Sequence, residues 1–200
     1  MSDDWNDYAD GWDSNSEARL YASRAFAALD SHAGITGGAW QAKRVLDFGC
    51  GTGLLTEKIA GHVKDVVAID TSDRMIAVLK DKNLPNVRAL HADLLGGSVE
   101  GAGGWLSGFD LICASSVCGF LPDYAGAVAA LSRLLNSGGL FVQWDWHSDG
   151  SGGFGLTEQQ IQAALTAAKL GSIRVEQAFE IKADTQPMPV LMGMGVRRAD

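Results

Sequence analysis

Short apolar runs alternate with amphipathic segments over most of the chain. The runs are continuous, as in strands buried on both faces, and the segments between them have helical spacing. An amphipathic helix over residues 17–33, with apolar positions such as Leu20 and Leu29, precedes this alternation. The pattern predicts a parallel sheet with helices on both faces. The predicted core elements are strand 43–48, helix 53–61, strand 65–70, helix 72–83, strand 86–92, strand 109–114, helix 123–135, strand 139–146 and helix 157–169.

The last two apolar segments differ from each other. From Ser172 to Lys182 apolar and charged residues alternate, which is typical of a half-exposed edge strand. The segment Val190–Val196 has almost no polar side chain and is typical of a strand buried on both faces. We therefore expect the last strand to lie inside the edge strand. This gives an α/β fold with a seven-stranded sheet in the order 3-2-1-4-5-7-6, strand seven antiparallel, with Pro187 and Pro189 blurring where that strand begins.

A glycine-rich loop joins the first strand to the first core helix. Glycine stands at positions 49, 51 and 53, where it permits positive φ and lets a ligand approach the main chain. A strand, loop and helix in this order also direct N–H groups at a ligand. We therefore expect the loop to hold a group with a carboxylate, phosphate or other electron-rich part.

Two acids at strand ends refine the ligand. Asp70 ends the second strand, 21 residues beyond Gly49, at the interval where an acid meets a ribose in nucleotide-binding folds. Asp93 follows the third strand and is suited to accept from an adenine amino group. Together they indicate an adenosine. Each also has a structural alternative: the glycines form a tight turn, Asp70 caps the next helix near Ser72, and Asp93 closes an Asx turn.

The loop departs from the dinucleotide fingerprint, because G-x-G-x-x-G requires glycine where this chain has Leu54. Asp47, Gly49, Gly51 and Gly53 instead form D-x-G-x-G-x-G. This pattern resembles the first motif of the class I S-adenosylmethionine-dependent methyltransferases, whose Rossmann-like sheet has the order expected above. Residues 109–116 resemble the fourth strand of that family and its following loop.

The resemblance implies S-adenosyl-L-methionine as cofactor and S-adenosyl-L-homocysteine as product. In the family the glycine loop lies under the methionine moiety, the acid of the second strand holds the ribose, and the acid after the third strand meets adenine. Carried over residue by residue, the implied cofactor-binding set is Asp47, Gly49, Cys50, Gly51, Gly53, Asp70, Thr71, Met75, Ala92, Asp93, Leu94 and Ser115.

The segment from Trp5 to Asp13 resembles the opening of small-molecule methyltransferases of the ubiquinone- and menaquinone-biosynthesis-like group, where it folds over the cofactor as a lid. The resemblance implies an N-terminal helical lid. Alternatively, Trp5, Tyr8 and Trp12 form a hydrophobic patch that holds the N-terminus on the core. The residues expected to face the substrate or form the lid are Tyr8, Trp12, Phe120 and Trp146, and Trp5, Tyr124 and Met188 are further candidates for lining a mostly apolar pocket.

Methyl transfer from a sulfonium is an in-line displacement that depends mainly on orientation. A hydroxyl nucleophile would gain from a general base, and the best candidate is His147, which follows strand five at the edge where open α/β sheets bind ligands. The alternative reading of His147 is a solvated or capped strand end. Asp145 and Tyr8 are lesser candidates.

Composition narrows the class of protein. The 200 residues predict one domain over 1–200, with the lid and first helix over 1–38 and the core over 39–200. A net charge of −8 without a basic stripe argues against nucleic acid, and Ser115–Cys118 lacks the motif of base-amino methylation. Three cysteines without C-x-x-C pairing predict no metal site or disulfide. The chain shows no signal peptide or membrane span, so we expect a cytoplasmic monomer or homodimer.

These observations predict an S-adenosylmethionine-dependent methyltransferase that acts on a small, partly apolar molecule. The alternative from another class is a non-catalytic sensor of an adenosyl ligand, or a partner-stabilising subunit, on the same fold. A dinucleotide oxidoreductase is a more distant third reading.

Overall fold

The computed structural model describes residues 5–97, 106–150, 154–183 and 186–199. The chain forms two compact units, residues 1–101 and 102–200. The first contains α1 (Asn6–Ala9), a 3-10 turn (Trp12–Ser14), α2 (Ser16–Ala33), β1 (Arg44–Phe48), α3 (Leu54–Ala60), β2 (Asp65–Asp70), α4 (Asp73–Asp81) and β3 (Val87–His91). The second contains β4 (Phe109–Ser115), a 3-10 turn (Cys118–Phe120), α5 (Tyr124–Ser132), β5 (Leu135–Trp146), α6 (Glu158–Ala167), β6 (Leu170–Ala183) and β7 (Gln186–Arg197).

In the first unit, three parallel strands hydrogen-bond in the order β3-β2-β1. The four central residues of β2, Val66–Ile69, are all buried. Because successive side chains of a strand point to opposite faces, protein covers both faces of β2. Its helices α3 and α4 pack against it. The strand β3 is only partly buried, as its edge position requires.

In the second unit, β4 and β5 are parallel, whereas β7 is antiparallel to both β5 and β6. The hydrogen-bonded order of the whole sheet is β3-β2-β1-β4-β5-β7-β6, which confirms the predicted order and the direction of β7. The residues Val190–Gly195 of β7 are buried, whereas Arg174 and Glu180 of β6 are exposed. The contrast between the buried last strand and the half-exposed edge strand is therefore also confirmed.

Two predicted boundaries were wrong. The helix predicted over 123–135 ends at Ser132, and β5 begins at Leu135 instead of at residue 139. Leu135 is buried and pairs with Phe109 of β4, so this residue serves the sheet. A register shift after Phe109 and a left-handed Gly138 (φ 78°) absorb the polar residues that follow within β5.

The last strand is also longer than predicted, because it continues through Pro187 and Pro189. The carbonyl of Pro189 accepts the N–H of His147 (2.9 Å), just beyond the end of β5. In an antiparallel strand the N and C=O of one residue point to the same side. The nitrogens of Pro187 and Pro189 therefore face the side where β5 has ended, so the missing N–H groups cost no hydrogen bond with β5. The other side of β7 keeps its pairing with β6.

The other boundaries agree with the prediction to within about two residues, which is the usual fraying of element ends. Helix caps explain several of them. Asn15 accepts the N–H groups of Glu17 and Ala18 at the start of α2, and Gly34 ends that helix in the left-handed region. Thr157 and Gln160 form a reciprocal capping box at the start of α6. Among the described residues, no helix is long and apolar enough to cross a membrane.

Candidate functional site

The glycine loop between β1 and α3 has the predicted backbone conformation. Gly49, Gly51 and Gly53 all lie in the left-handed region, with φ of 67°, 53° and 83°. The expected direction was wrong for two of its N–H groups. The N–H groups of Gly49 and Cys50 both donate to the carbonyl of Ile69 (2.8 and 3.0 Å), because the loop bends back onto β2. A ligand would therefore meet the glycine Cα atoms and not these N–H groups.

Two loop glycines have different surroundings. A Cβ added at Gly53 would overlap the buried side chain of Leu79 in α4, so packing favours glycine here in addition to the positive φ. A Cβ added at Gly51 would meet only the Met75 sulfur, 4.0 Å away. The space over Gly51 is thus open on the side that a Cβ would fill. That space, bounded by the buried Met75, fits a ligand lying against the loop.

Asp70 ends β2 and joins the glycine loop to the next helix. Its Oδ2 accepts the N–H of Gly51 (2.8 Å), and its Oδ1 accepts the N–H of Ser72 (2.9 Å). Burial raises the pKa of the Asp70 carboxyl, opposed by these backbone hydrogen bonds. The N–H of Thr71 also donates to this carboxylate, so one of its roughly four lone-pair sites remains for a ribose hydroxyl. The cap of α4 is Ser72, whose Oγ accepts the N–H of Met75 (3.1 Å).

Asp47, the first acid of the motif, is buried in β1. Its Oδ2 accepts the hydroxyl of Thr56 (2.5 Å), whereas its Oδ1 is buried without a partner among the described residues. Burial raises the pKa of the Asp47 carboxyl to about 6, and the nearby Asp70 raises it further against the effect of Thr56. The neighbouring Cys50 is also buried, and burial raises the pKa of its thiol, so no thiolate is available for chemistry.

The remaining predicted cofactor residues of this unit follow β2 and β3. The N–H of Ala92 donates to the carbonyl of Asp70 (3.0 Å), and the Thr71 carbonyl lies 3.1 Å from Nε2 of His91. Asp93 is exposed and accepts the N–H groups of Leu95 (3.1 Å) and Gly96 (2.8 Å) through Oδ1. Asp93 thus closes an Asx turn, and its adenine contact stays a prediction. Leu94 is half-buried beside it.

The N-terminal segment is fastened to the glycine loop and to α4 by side chains that sequence reasoning missed. Asn6 Oδ1 accepts the hydroxyl of Ser72 (2.6 Å). Asp13 accepts the hydroxyl of Thr52 (2.5 Å) through Oδ1 and pairs with Lys82 (2.8 Å) through Oδ2. No periodic pattern marks these contacts, since Asn6 and Ser72 are 66 residues apart.

The aromatic residues of that segment are arranged more loosely. Trp5 and Tyr8 form a tilted pair with ring centroids 5.7 Å apart, and Tyr8 remains 51% exposed. Trp12 lies in the 3-10 turn and is half-buried. Their contact with a substrate stays a prediction.

The second unit holds the other predicted residues at the carboxyl ends of β4 and β5. Ser115 ends β4 and is half-buried. His147 follows β5, where its N–H donates to Pro189 and its side chain is exposed. Phe120 and Trp146 both lie against Phe154, with ring centroids at 4.9 and 6.3 Å. Sequence reasoning missed Phe154, which stands in a glycine-rich stretch without strand or helix periodicity.

A buried polar network connects β5 to the turn after β4. The Tyr124 hydroxyl donates to Gln143 Oε1 (2.6 Å), and Gln143 Nε2 donates to Asp145 Oδ2 (2.8 Å). Asp145 Oδ1 accepts the N–H of Gly119 (2.9 Å), and the carboxylate also accepts the N–H of Cys118. Burial raises the pKa of Asp145 to about 7, against the effect of these donors. The Tyr124 hydroxyl is therefore committed to this network.

The structure also bears on two other kinds of site, a metal centre and a surface cleft. Within the described ranges, no group of three or more His, Cys, Asp or Glu side chains is placed to hold a metal ion. A surface cleft of about 310 Å³ in the first unit contains none of the predicted cofactor residues, and it is lined by Leu79, Lys80, Asn83, Leu84, Val87 and Ala89. Met188 is half-buried in β7, opposite Ile181 of β6.

Comparison with known proteins finds a matching family model, similar sequences and solved structures with the same fold. A family model described as a methyltransferase domain matches residues 16–180. The ubiquinone biosynthesis O-methyltransferase of Aromatoleum aromaticum is 32% identical over 114 residues, which are 56% of this chain and 45% of that protein. The chain thus spans about half the length of the curated relatives it matches.

Two solved structures share the fold over nearly the whole chain. The N-methyltransferase NodS from Bradyrhizobium japonicum WM9, in complex with S-adenosyl-L-homocysteine, is 18% identical with a TM-score of 0.70 and covers 98% of this chain and 100% of its own. The 1,6-didemethyltoxoflavin-N1-methyltransferase of Burkholderia thailandensis, with bound 1,6-didemethyltoxoflavin and S-adenosylhomocysteine, is 19% identical with a TM-score of 0.71 and covers 98% of this chain and 84% of its own.

Proposed function

The chain belongs to the methyltransferase-domain family, and from that premise we propose that it moves a methyl group from S-adenosylmethionine to a small, partly apolar acceptor by in-line displacement. The observation that carries the proposal is the hydrogen bond from the Gly51 N–H to Asp70 Oδ2. It joins the glycine loop after β1 to the acid that ends β2. These are the two elements that an adenosyl ligand requires at adjacent strand ends.

The residues of the first unit fit the cofactor. The open space over Gly51 suits the methionine part, and the remaining lone pair of Asp70 suits a ribose hydroxyl. Asp93 and Leu94 are the proposed contacts of the adenine. When bound, S-adenosylmethionine supplies a methyl group activated on a sulfonium.

The main task of the protein is then orientation and the exclusion of water. Holding two reactants in line accounts for about 7–11 kcal/mol of barrier lowering in well-oriented reactions. The N-terminal segment can help to exclude water, because Asn6 holds it at the start of α4 and Asp13 holds it on the glycine loop. We propose that this segment acts as the lid, with Tyr8 and Trp12 on it.

For a hydroxyl acceptor, His147 is the proposed general base. Its side chain is exposed at the end of β5, and its backbone is fixed by Pro189. A general base contributes a factor of about 10²–10⁴. His147→Gln should therefore lower kcat by that factor for hydroxyl acceptors and leave the affinity for S-adenosylhomocysteine unchanged. A change in kcat of less than threefold would remove His147 from this role.

The names of similar proteins support a small-molecule acceptor. One relative is named a ubiquinone biosynthesis O-methyltransferase, and one structural neighbour is named a 1,6-didemethyltoxoflavin-N1-methyltransferase. The net charge of −8 is unfavourable for a polynucleotide. The aromatic side chains of Phe120 and Trp146 favour a substrate with apolar surface.

The proposal is tested in two steps. Calorimetry with S-adenosylhomocysteine and with NAD measures ligand choice, and we expect binding of the first only. Transfer from donor labelled on the methyl group is then measured on a panel of phenols, hydrophobic acids and amines. Product from a small molecule supports the enzyme. Tight binding without turnover on any acceptor would favour the sensor, and activity on a polynucleotide alone would overturn the proposed acceptor class.

A further inference from the structure

An aromatic cluster of three rings, Phe120, Trp146 and Phe154, lies at the carboxyl ends of β4 and β5. Phe154 is brought there by the backbone. The N–H of Leu156 donates to the carbonyl of Trp146 (2.9 Å), and the N–H of Ser148 donates to the carbonyl of Leu156 (2.9 Å). The chain thus returns alongside the end of β5 and sets Phe154 next to Trp146.

Gly155 permits this close return. Its φ is 103°, and a Cβ at this position would overlap the carbonyl of Trp146. No other residue type fits both conditions without strain. The position of Phe154 is therefore a consequence of the glycine that follows it.

The 3-10 turn that carries Phe120 is anchored by Asp145. The carboxylate of Asp145 accepts the N–H groups of Cys118 and Gly119, the two residues that precede Phe120 in the 3-10 turn. Gln143 donates to the other carboxylate oxygen and fixes its orientation. Asp145 is 2% exposed, so its position is rigid.

The cluster keeps apolar surface in solvent. Phe120 is 37% and Phe154 47% exposed, although each packs against another ring. The Phe120 and Phe154 planes are inclined by 56°, and the Trp146 and Phe154 planes by 42°, so Phe154 does not stack flat on either ring. The exposed parts of Phe120 and Phe154 can contact a further ring. The neighbouring ring centroids lie 4.9 and 6.3 Å apart, within the range at which aromatic rings pack favourably. Three side chains are far fewer than the roughly 20–30 residues that each side of a stable protein interface contributes.

We propose that this aromatic cluster binds the flat ring of an aromatic methyl acceptor, that Phe154 is a specificity-determining residue, and that Asp145 is a positioning residue acting through Phe120. The inference rests on the proposed function, since it names the acceptor class of that activity. Carboxyl ends of strands are the edge where open α/β sheets bind ligands.

The first test compares two probes on the full chain. The probes are 2-naphthol and its saturated counterpart decahydro-2-naphthol, which share the hydroxyl and differ in planarity. We expect 2-naphthol to bind at least tenfold more tightly and to shift the NMR signals of the Trp146 indole and the Phe154 ring. Equal affinities, or shifts confined to other residues, would overturn the inference.

The second test uses single and double variants. Phe154→Leu should weaken 2-naphthol binding about fivefold to tenfold, as expected for loss of an aromatic contact. The matched control is Phe26→Leu, whose ring stacks on His62 in the first unit and should leave the affinity unchanged. An equal loss in both variants would contradict the role of Phe154.

Asp145 is tested by its dependence on Phe120. Asp145→Ala should weaken 2-naphthol binding as much as Phe120→Leu, and the double variant should lose no more than either single one, because both remove the same contact. Asp145→Asn should restore binding, because an amide oxygen still accepts the Gly119 N–H. Additive losses, or failure of asparagine to restore binding, would overturn the positioning role.

The affinity for S-adenosylhomocysteine separates this inference from the proposed function. It should be the same in all these variants. If the unaltered chain does not bind S-adenosylhomocysteine, the proposed function fails. The comparison of the two naphthol probes still decides whether the aromatic cluster binds a flat ring. Should Asp145→Ala not fold, Asp145→Asn and the exposed Phe154→Leu keep the test decisive. In turnover, Phe154→Leu should raise KM for aromatic acceptors and leave kcat within twofold.

Discussion

Asp70 Oδ2 accepts the N–H of Gly51 at 2.8 Å, so the acid predicted to hold a ribose also holds the glycine loop in shape. The other oxygen of the same carboxylate accepts the N–H of Ser72, the N-cap residue of α4. One side chain thus connects the loop after β1 with the helix after β2. Any change at Asp70 should affect ligand contact and loop geometry together.

Asp70→Ala should weaken the binding of S-adenosylhomocysteine by about 1–3 kcal/mol, the value of a lost hydrogen bond to a charged group. The reason is the loss of both the ribose hydroxyl contact and the anchor of Gly51. Calorimetry measures the change. Asp73→Ala, an acid in the first turn of α4, is the control and should bind normally. Unchanged affinity in Asp70→Ala would mean that the ribose lies elsewhere.

The two loop glycines should respond differently to alanine. Gly53→Ala places a methyl group into Leu79 and should destabilise the fold by about 1–3 kcal/mol. Leu79→Ala in the same chain should offset part of that overlap. Gly51→Ala adds its methyl group to open space, so its stability loss should be limited to the strain of a left-handed alanine, about 1–2 kcal/mol.

Ligand binding distinguishes the two glycines further. Gly51→Ala should lose S-adenosylhomocysteine binding at least tenfold, because the methyl group occupies the proposed space of the ligand. Urea unfolding and calorimetry on the same samples give both quantities. Normal affinity in a folded Gly51→Ala protein would show that the ligand does not use this space.

Most of the fold could be predicted from periodicity, because burial on one or both faces of a strand is directly visible in the sequence. The edge character of β6 and the buried character of β7 gave the correct strand order. The beginnings of β5 and β7 could not be predicted. They depend on the pairing of Leu135 with Phe109 and on the side to which Pro187 and Pro189 point, which are tertiary facts.

The candidate site was predictable only in part. The positive φ of the three glycines follows from their residue type, whereas the direction of the Gly49 and Cys50 N–H groups depends on the position of Ile69. The contact between Asp13 and Thr52 spans 39 residues and leaves no local signal. Asp93 was ambiguous in the sequence, and the Asx turn that it forms is compatible with either reading.

Asp13→Ala should loosen the N-terminal segment, because it removes the hydrogen bond from Thr52 and the ion pair with Lys82. We expect the segment to be held on the core by about 1 kcal/mol less, which should weaken the affinity for S-adenosylhomocysteine threefold to tenfold. Proteolysis of the segment should also become faster, and the ligand should no longer protect the segment from cleavage. Asp7→Ala, an exposed acid of the same segment, is the control. Equal cleavage of both variants would contradict a lid held by Asp13.

The buried Asp145 should make stability depend on pH. Burial raises its pKa from the ordinary value of 3.8 to about 7, so between these values the folded chain holds a proton that the unfolded chain has released. Stability from this group is fully present below pH 3.8 and is lost as the pH rises through 7. Near it, Cys118 and Tyr124 both have raised pKa values and stay neutral over this range.

Asp145→Asn should remove that dependence, because its amide does not titrate and can still accept the Gly119 N–H. The difference in unfolding free energy between the two proteins should change by roughly 4 kcal/mol between pH 4 and pH 8, in favour of the variant at high pH. Urea unfolding across that range measures it. Contributions from Asp47 and Asp70 cancel, since both proteins contain them. A constant difference across the range would mean that Asp145 is ionised in the folded chain throughout, and that the donors from Cys118, Gly119 and Gln143 outweigh its burial.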